Sequence, residues 1–114
     1  MSHFTTLPTV LRDADLLVSA LESLGLNPQR DGRLVGFAGE EEPVAVLLPL
    51  RGGSALGWRP RGDGTLALVG DLTRLGHRDD LAALLGSITR AYAARLALRE
   101  AAAHFPGAIL DLVG

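Results

Sequence analysis

The sequence contains no cysteine and no lysine, and each absence narrows the chemistry open to the chain. Without cysteine it has no disulfide, no thiolate nucleophile and no cysteine-ligated zinc or iron–sulfur site. All eleven cationic side chains are therefore arginine. This bias has two interpretations, which both remain open: the codon composition of the gene, or a need for bidentate recognition of anions by guanidinium groups.

Aromatic residues are also scarce, at 4% of the sequence, so we expect a core built from Leu, Val, Ala and Ile. Hydrophobic residues make up 47% and charged residues 21%, which is typical of a globular chain and not of a disordered one. The formal net charge of −2 argues against a nucleic-acid partner, because nucleic-acid-binding domains are usually strongly basic. The length of 114 residues predicts one domain over residues 1–114.

No targeting segment is evident in the sequence. Met1–Thr6 lacks the charged and apolar regions of a signal peptide. No apolar stretch approaches the roughly 18 residues needed to cross a membrane. We therefore expect a cytoplasmic protein with no membrane association.

The first part of the chain predicts a strand followed by a helix. Ser2–Leu11 has a composition that favours extended structure, and Pro8 fits an edge strand better than a central one. Asp13 is suited to cap the helix N-terminus, and Gly25 to adopt a left-handed conformation after its end. The apolar stripe of this helix comprises Leu17, Ala20, Leu21 and Leu24.

The middle of the chain predicts a meander of about four short strands. A hairpin is indicated by Gly62-Asp63-Gly64, because its glycines accept positive φ angles. Gly39–Pro43 has the composition of a solvated turn with a run of acidic residues. The predicted strands are Arg33–Phe37, Val44–Leu50, Leu56–Arg59 and Thr65–Val69.

A long helix over Arg78–His104 and a final strand over Ala108–Val113 complete the pattern. The order β-α-β-β-β-β-α-β predicts an α+β fold. We expect a two-layer sandwich, ferredoxin-like or related, in which two helices cover one face of a mainly antiparallel sheet.

Neither a catalytic nor a metal-binding constellation is evident, and we expect no enzyme activity, metal or cofactor. No pair of histidines has the i, i+4 spacing of a metal-binding helix. His77 and His104 lie at opposite ends of the long helix, about 40 Å apart at 1.5 Å per residue.

Two features of the sequence nevertheless indicate a candidate binding surface. An RNA-binding module would use Trp58 for base stacking and Arg51, Arg59 and Arg61 for phosphates, although one tryptophan and an acidic chain favour plain exposed turns. The long helix is rich in alanine beside Tyr92, which indicates either a smooth interface or simply high helix propensity. The expected interface comprises Tyr92, Ala93, Ala94, Ala97 and Ala101.

Several motifs, taken in order, resemble one known family over nearly the whole chain. The start Met1–Thr6, followed by Leu11-Arg12-Asp13, resembles the start of the hypothetical chloroplast reading frame thirty-five family, a bacterial and plastid family of unknown function. The other matching segments are Gly32–Gly39, Leu56–Arg59, Gly62–Thr65, Val69–Asp71 and Ile88–Tyr92. This chain departs from the family at Leu72, where a Trp is usual, and at Ala93-Ala94-Arg95, where an aromatic and a His are common.

The resemblance implies an accessory protein whose gene lies near that of an AAA-type ATPase. Our leading hypothesis is a non-enzymatic adaptor that binds such an ATPase or another copy of itself. The alternative is a small-ligand-binding domain or small enzyme, with a cleft that uses Arg33, Arg59 and Asp71. The family-matched positions are Arg33, Trp58, Arg59, Asp71 and Tyr92.

Overall fold

The computed structural model describes residues 4–36, 39–71 and 79–104. Within these ranges the chain forms seven strands, two α-helices and one 3-10 turn at Arg51–Gly53. The strands are β1 (Thr5–Pro8), β2 (Gln29–Arg30), β3 (Arg33–Val35), β4 (Glu41–Pro43), β5 (Val46–Pro49), β6 (Ala55–Pro60) and β7 (Leu66–Gly70). The helices are α1 (Ala14–Ser23) and α2 (Asp79–His104).

Five of the strands form one antiparallel sheet in the order β1-β7-β6-β5-β2. Neighbouring strands along this order pair antiparallel, with Trp58 opposite both Val46 and Leu68. The fold is therefore α+β with a mainly antiparallel sheet, as the sequence predicted. The predicted last strand, Ala108–Val113, lies outside the described residues.

The remaining two strands, β3 and β4, pair with each other in a separate antiparallel ribbon. The prediction of a solvated turn over Gly39–Pro43 is wrong for its second half, because Glu41–Pro43 is strand β4. Pairing with Arg33–Val35 satisfies the backbone there in spite of the acidic side chains. The two-residue strand β2 was not predicted from the sequence.

Helix α1 begins and ends at the predicted residues. The carboxylate of Asp13 accepts a hydrogen bond from the backbone N–H of Leu16 at 3.1 Å, which caps the first turn. Gly25 has a φ of 79°, the left-handed conformation that favours glycine after a helix. Leu17 and Leu21 are fully buried, but Leu24 is 39% exposed and does not belong to the buried stripe.

The main core lies between the sheet and the two helices. Strand alternation turns Leu56 and Trp58 of β6 toward α1 and α2, and both side chains are buried. Trp58 is the largest fully buried side chain among the described residues. The helices contribute Leu16, Leu17, Ala20, Leu21, Ile88 and Tyr92 to this core.

A smaller core lies on the opposite face of the sheet, under the β3–β4 ribbon. Leu34, Val44 and Val69 are buried there. The ribbon approaches so closely that a Cβ on Gly57 would lie 2.6 Å from Cγ1 of Val44. Glycine is required at position 57 because a Cβ there would meet Val44, and not because the backbone φ angle is positive.

Helix α2 has two unlike halves. Ile88 and Tyr92 are buried in the main core. From Ala93 to His104, in contrast, the helix has no buried residue. The expectation that no segment approaches membrane-spanning length needs correction, since Leu81–His104 is long and apolar enough to cross a membrane, with a mean hydropathy of 1.2. Length and composition alone are weak evidence, because core helices of soluble proteins meet the same criterion.

Candidate interaction surface

The two halves of α2 meet at a junction that fastens the helix to the start of α1. The hydroxyl oxygen of Tyr92 accepts hydrogen bonds from the backbone N–H groups of Arg12 and Asp13, at 3.1 and 3.0 Å. About two turns further along α2, Arg99 Nη1 lies 2.6 Å from Oδ2 of Asp13. Asp13 thus caps α1 with one oxygen and binds α2 with the other.

Hydrogen bonding at this junction lowers the pKa of the Asp13 carboxyl below its ordinary value of 3.8. The hydrogen bond from Arg99 is the largest cause, and that from the Leu16 backbone comes second. The same hydrogen bond raises the pKa of Arg99, so the guanidinium stays charged. The junction is therefore an ion pair at all but strongly acidic pH.

This geometry changes the role expected of Tyr92. The side chain is only 6% exposed and both of its bonds are to the chain's own backbone. It positions α2 against α1 and leaves no surface for a partner. Of the expected interface, Ala93, Ala94 and Ala97 are exposed and Ala101 is half-buried.

Beyond the junction, one side of α2 carries an apolar strip that we call the Leu98 face, defined by Ala91, Ala94, Leu98 and Ala101. The spacing of three, four and three residues places these side chains on one side of the helix. Leu98 is 45% exposed, an exposure close to that of Leu7 at 44%, and small alanines adjoin it to form a continuous strip. The strip begins at the edge of the core, where Ala91 packs, and runs outward from it.

Two arginines flank the Leu98 face. Arg90 and Arg95 lie on opposite sides of the strip at 100° per residue, and both are exposed. Arg90 donates to the hydroxyl of Ser87 at 3.3 Å. Within the described ranges neither arginine is in an ion pair, in contrast to Arg99.

The residues of the predicted ligand cleft are distributed over different surfaces. Arg33 lies on the solvent side of the β3–β4 ribbon, since the alternate residue Leu34 faces the sheet. It pairs with Glu41 at 3.8 Å and adjoins an open cleft of about 290 Å3. Arg59 lies on the sheet beneath the ribbon, so the two arginines do not converge.

Arg59 is held between strands. Its Nη1 lies 3.0 Å from Oε1 of Glu42 and its Nη2 donates to Oγ1 of Thr6 at 3.5 Å. Its Nε is buried without a hydrogen-bond partner. Asp71 follows β7 on the same side of the sheet, half-buried. The strand register places it four residues, or about 13 Å, from Arg59 along β6, so these groups do not form one site. Residues 72–78, which follow Asp71 in the sequence, lie outside the described residues.

The RNA-binding arrangement is not assembled either. Trp58 is 1% exposed, so its ring has no face available for stacking on a base. Arg51 and Arg61 lie beyond opposite ends of β6, at least about 17 Å apart along the strand. The cluster expected from their closeness in sequence is therefore wrong, because an extended strand separates them.

A groove that the sequence did not reveal lies between the segment 7–11 and α2. It has a volume of about 230 Å3, and its lining includes Leu85, Ile88 and Thr89 on the helix side. Leu7 and Val10 are exposed at its rim. Separation in sequence hid this groove, since its two walls are more than 70 residues apart.

Among residues 4–36, 39–71 and 79–104, no group of three or more His, Asp or Glu side chains could hold a metal ion. His104 ends α2. His3 and His77 lie outside the described residues.

The geometry defines an antiparallel α+β sandwich with a projecting, partly apolar helix. A family model described as protein of unknown function, DUF1257, matches residues 20–105, about three quarters of the chain. The chain therefore belongs to this family. No curated protein matches it. No solved structure matches it either.

Proposed function

We propose that this protein is a non-enzymatic accessory protein that acts through protein–protein interaction, with the second half of α2 as its binding surface. The observation that carries the proposal is the exposure of that half: it has no buried residue from Ala93 to His104, and Leu98 is 45% exposed. A surface helix of a free-standing domain normally turns its large apolar residues to the core.

The low stability of a helix without tertiary packing supports this proposal. Short helices are marginal in water even when rich in alanine, because most helix stability in proteins comes from tertiary packing. The second half of α2 is attached through Leu96, which is half-buried against the main core, and through Arg99, which pairs with Asp13. A partner helix that packs on the Leu98 face would supply the missing burial.

We also propose that the chain belongs, within DUF1257, to the hypothetical chloroplast reading frame thirty-five family. Its start motif and central segments resemble that family. The partner implied by this resemblance is an AAA-type ATPase. We propose the cytoplasm as the compartment in which the two proteins meet. Self-association is the second form that the interaction can take.

The test is co-purification of the full chain with the AAA-type ATPase encoded beside it, followed by size-exclusion chromatography with light scattering. We expect a complex that Leu98→Glu abolishes, because a charge would be buried without a partner at the centre of the contact. Ala83→Glu is the matched control, since Ala83 is an exposed alanine in the first half of the same helix.

Two outcomes would overturn the proposal. One is a chain that stays monomeric and does not bind the ATPase at any concentration tested. The other is a complex that tolerates Leu98→Glu as well as it tolerates Ala83→Glu. Thermal unfolding of both variants checks that each is folded.

A further inference from the structure

We infer that the Leu98 face binds an amphipathic helix of a different protein with acidic residues along its flanks, and not a second copy of this chain. The inference rests on the proposed function and specifies the partner's chemistry. It depends on the charges beside the strip, not on the small residues within it.

The spacing of the Leu98 face is that of a helix–helix seam. Ala91, Ala94, Leu98 and Ala101 alternate steps of three and four residues, as the a and d positions of a heptad do. Small side chains let a second helix come close, and Leu98 supplies one large group to insert between the partner's residues. A helix laid along this strip is therefore the occupant that fits it.

The flanks of the seam decide which helix fits. Arg90 takes the position before Ala91 and Arg95 the position after Ala94, which correspond to g and e of the heptad. Both are exposed and, within the part of the chain that the structure describes, neither is in an ion pair. Residues at these positions set partner choice and orientation through charge.

A second copy is disfavoured in either orientation. In a parallel pair, a residue at g faces the residue five positions later at e of the other helix, so Arg90 would face the second copy's Arg95. In an antiparallel pair with Ala94 packed on Leu98, the two Arg95 side chains would face each other. Like charges at such short range repel. A partner with Glu or Asp at the facing positions turns both repulsions into attractions.

The experiment uses two synthetic helical peptides, each about three heptads long, with identical apolar a and d residues. One carries Glu at every e and g position and the other Lys. Binding to the full chain is measured by fluorescence anisotropy. We expect the Glu peptide to bind about tenfold more tightly at low salt, with a difference that shrinks as salt is added.

Three variants sharpen the test. The double variant Arg90→Glu with Arg95→Glu should reverse the preference in favour of the Lys peptide. The matched control, Arg51→Glu with Arg61→Glu, changes the net charge equally at exposed positions outside α2 and should leave the preference unchanged. Leu98→Glu should abolish binding of the Glu peptide.

The inference is overturned if the two peptides bind equally, if neither binds, if the double variant keeps the original preference, or if light scattering shows the chain paired with itself. It fails separately from the proposed function. If ATPase binding depends on Leu98 but survives reversal of both arginines, the interaction surface stands and the acidic partner does not. If Leu98→Glu leaves ATPase binding intact, the proposed function itself fails.

Discussion

Removing one hydroxyl group from Tyr92 tests how α2 is fixed to the rest of the molecule. Its oxygen accepts from the backbone N–H groups of Arg12 and Asp13, at 3.1 and 3.0 Å, in a side chain that is 6% exposed. Tyr92→Phe keeps the ring and its packing but leaves two N–H donors without their acceptor. At about 1 kcal/mol for each lost hydrogen bond, the expected loss of unfolding free energy is about 2 kcal/mol.

Urea denaturation followed by circular dichroism measures this loss directly. For a chain of this length, it corresponds to a fall in the melting temperature of about 8 °C. Thr89→Val is the matched control, because the Thr89 hydroxyl bonds only to the Leu85 carbonyl of its own helix, at an exposed position. A Tyr92→Phe penalty below about 0.5 kcal/mol would refute the assignment of Tyr92 as the anchor of α2.

Two further predictions concern the cap of α1 and the contact between sheet and ribbon. Asp13→Ala should cost about 1 kcal/mol at pH 7 through loss of the cap. Because the folded-state pKa of Asp13 lies below 3.8, its contribution is fully present above that value and is lost as the pH falls through the lower folded-state pKa. Urea titrations should therefore show a smaller loss of unfolding free energy for Asp13→Ala at pH 3 than at pH 7. An equal loss at both pH values would contradict the ion pair with Arg99. Gly57→Ala should cost about 1–3 kcal/mol, since the new Cβ would meet Val44, whereas Gly62→Ala, with no atom near its Cβ position, should be nearly neutral by the same measurement.

Local features of the fold could be predicted from the sequence because their signals lie within a few residues. Asp13 caps a helix through its own short side chain. Gly64 turns the β6–β7 hairpin with a φ of 86°, while Asp63 accepts from the Thr65 backbone at 2.9 Å. The hydrogen bonds from Thr65, side chain first and backbone second, also lower the pKa of Asp63. None of these contacts requires knowledge of the rest of the chain.

The site residues were harder to place because their roles depend on tertiary contacts. Trp58 was expected in the strand Leu56–Arg59, and an RNA-binding module would have needed its ring exposed, but strand alternation turns it into the core under both helices. Tyr92 was expected at an interface, but its hydroxyl bonds to backbone about 80 residues earlier in the chain. Arg33 and Arg59 match one family pattern but occupy opposite sides of the β3–β4 ribbon.

The sequence indicated the composition of the Leu98 face but not its exposure. The alanines were apparent, but periodicity alone could not separate the half of α2 that packs on the sheet from the half that does not. Ile88 is a core residue at 1% exposure, whereas Leu98, ten residues later and on another face of the helix, is a surface residue at 45%.

Hydrogen exchange of the full chain, measured by mass spectrometry with and without the AAA-type ATPase, tests the central claim most directly. We expect amide exchange over residues 93–102 to slow when the partner is present, because a packed helix opens less often than an exposed one. Residues in β6 and β7 should exchange at the same slow rate in both samples. Unchanged exchange over residues 93–102, with slowing confined to the β3–β4 ribbon or to the groove beside Leu7, would contradict the claim.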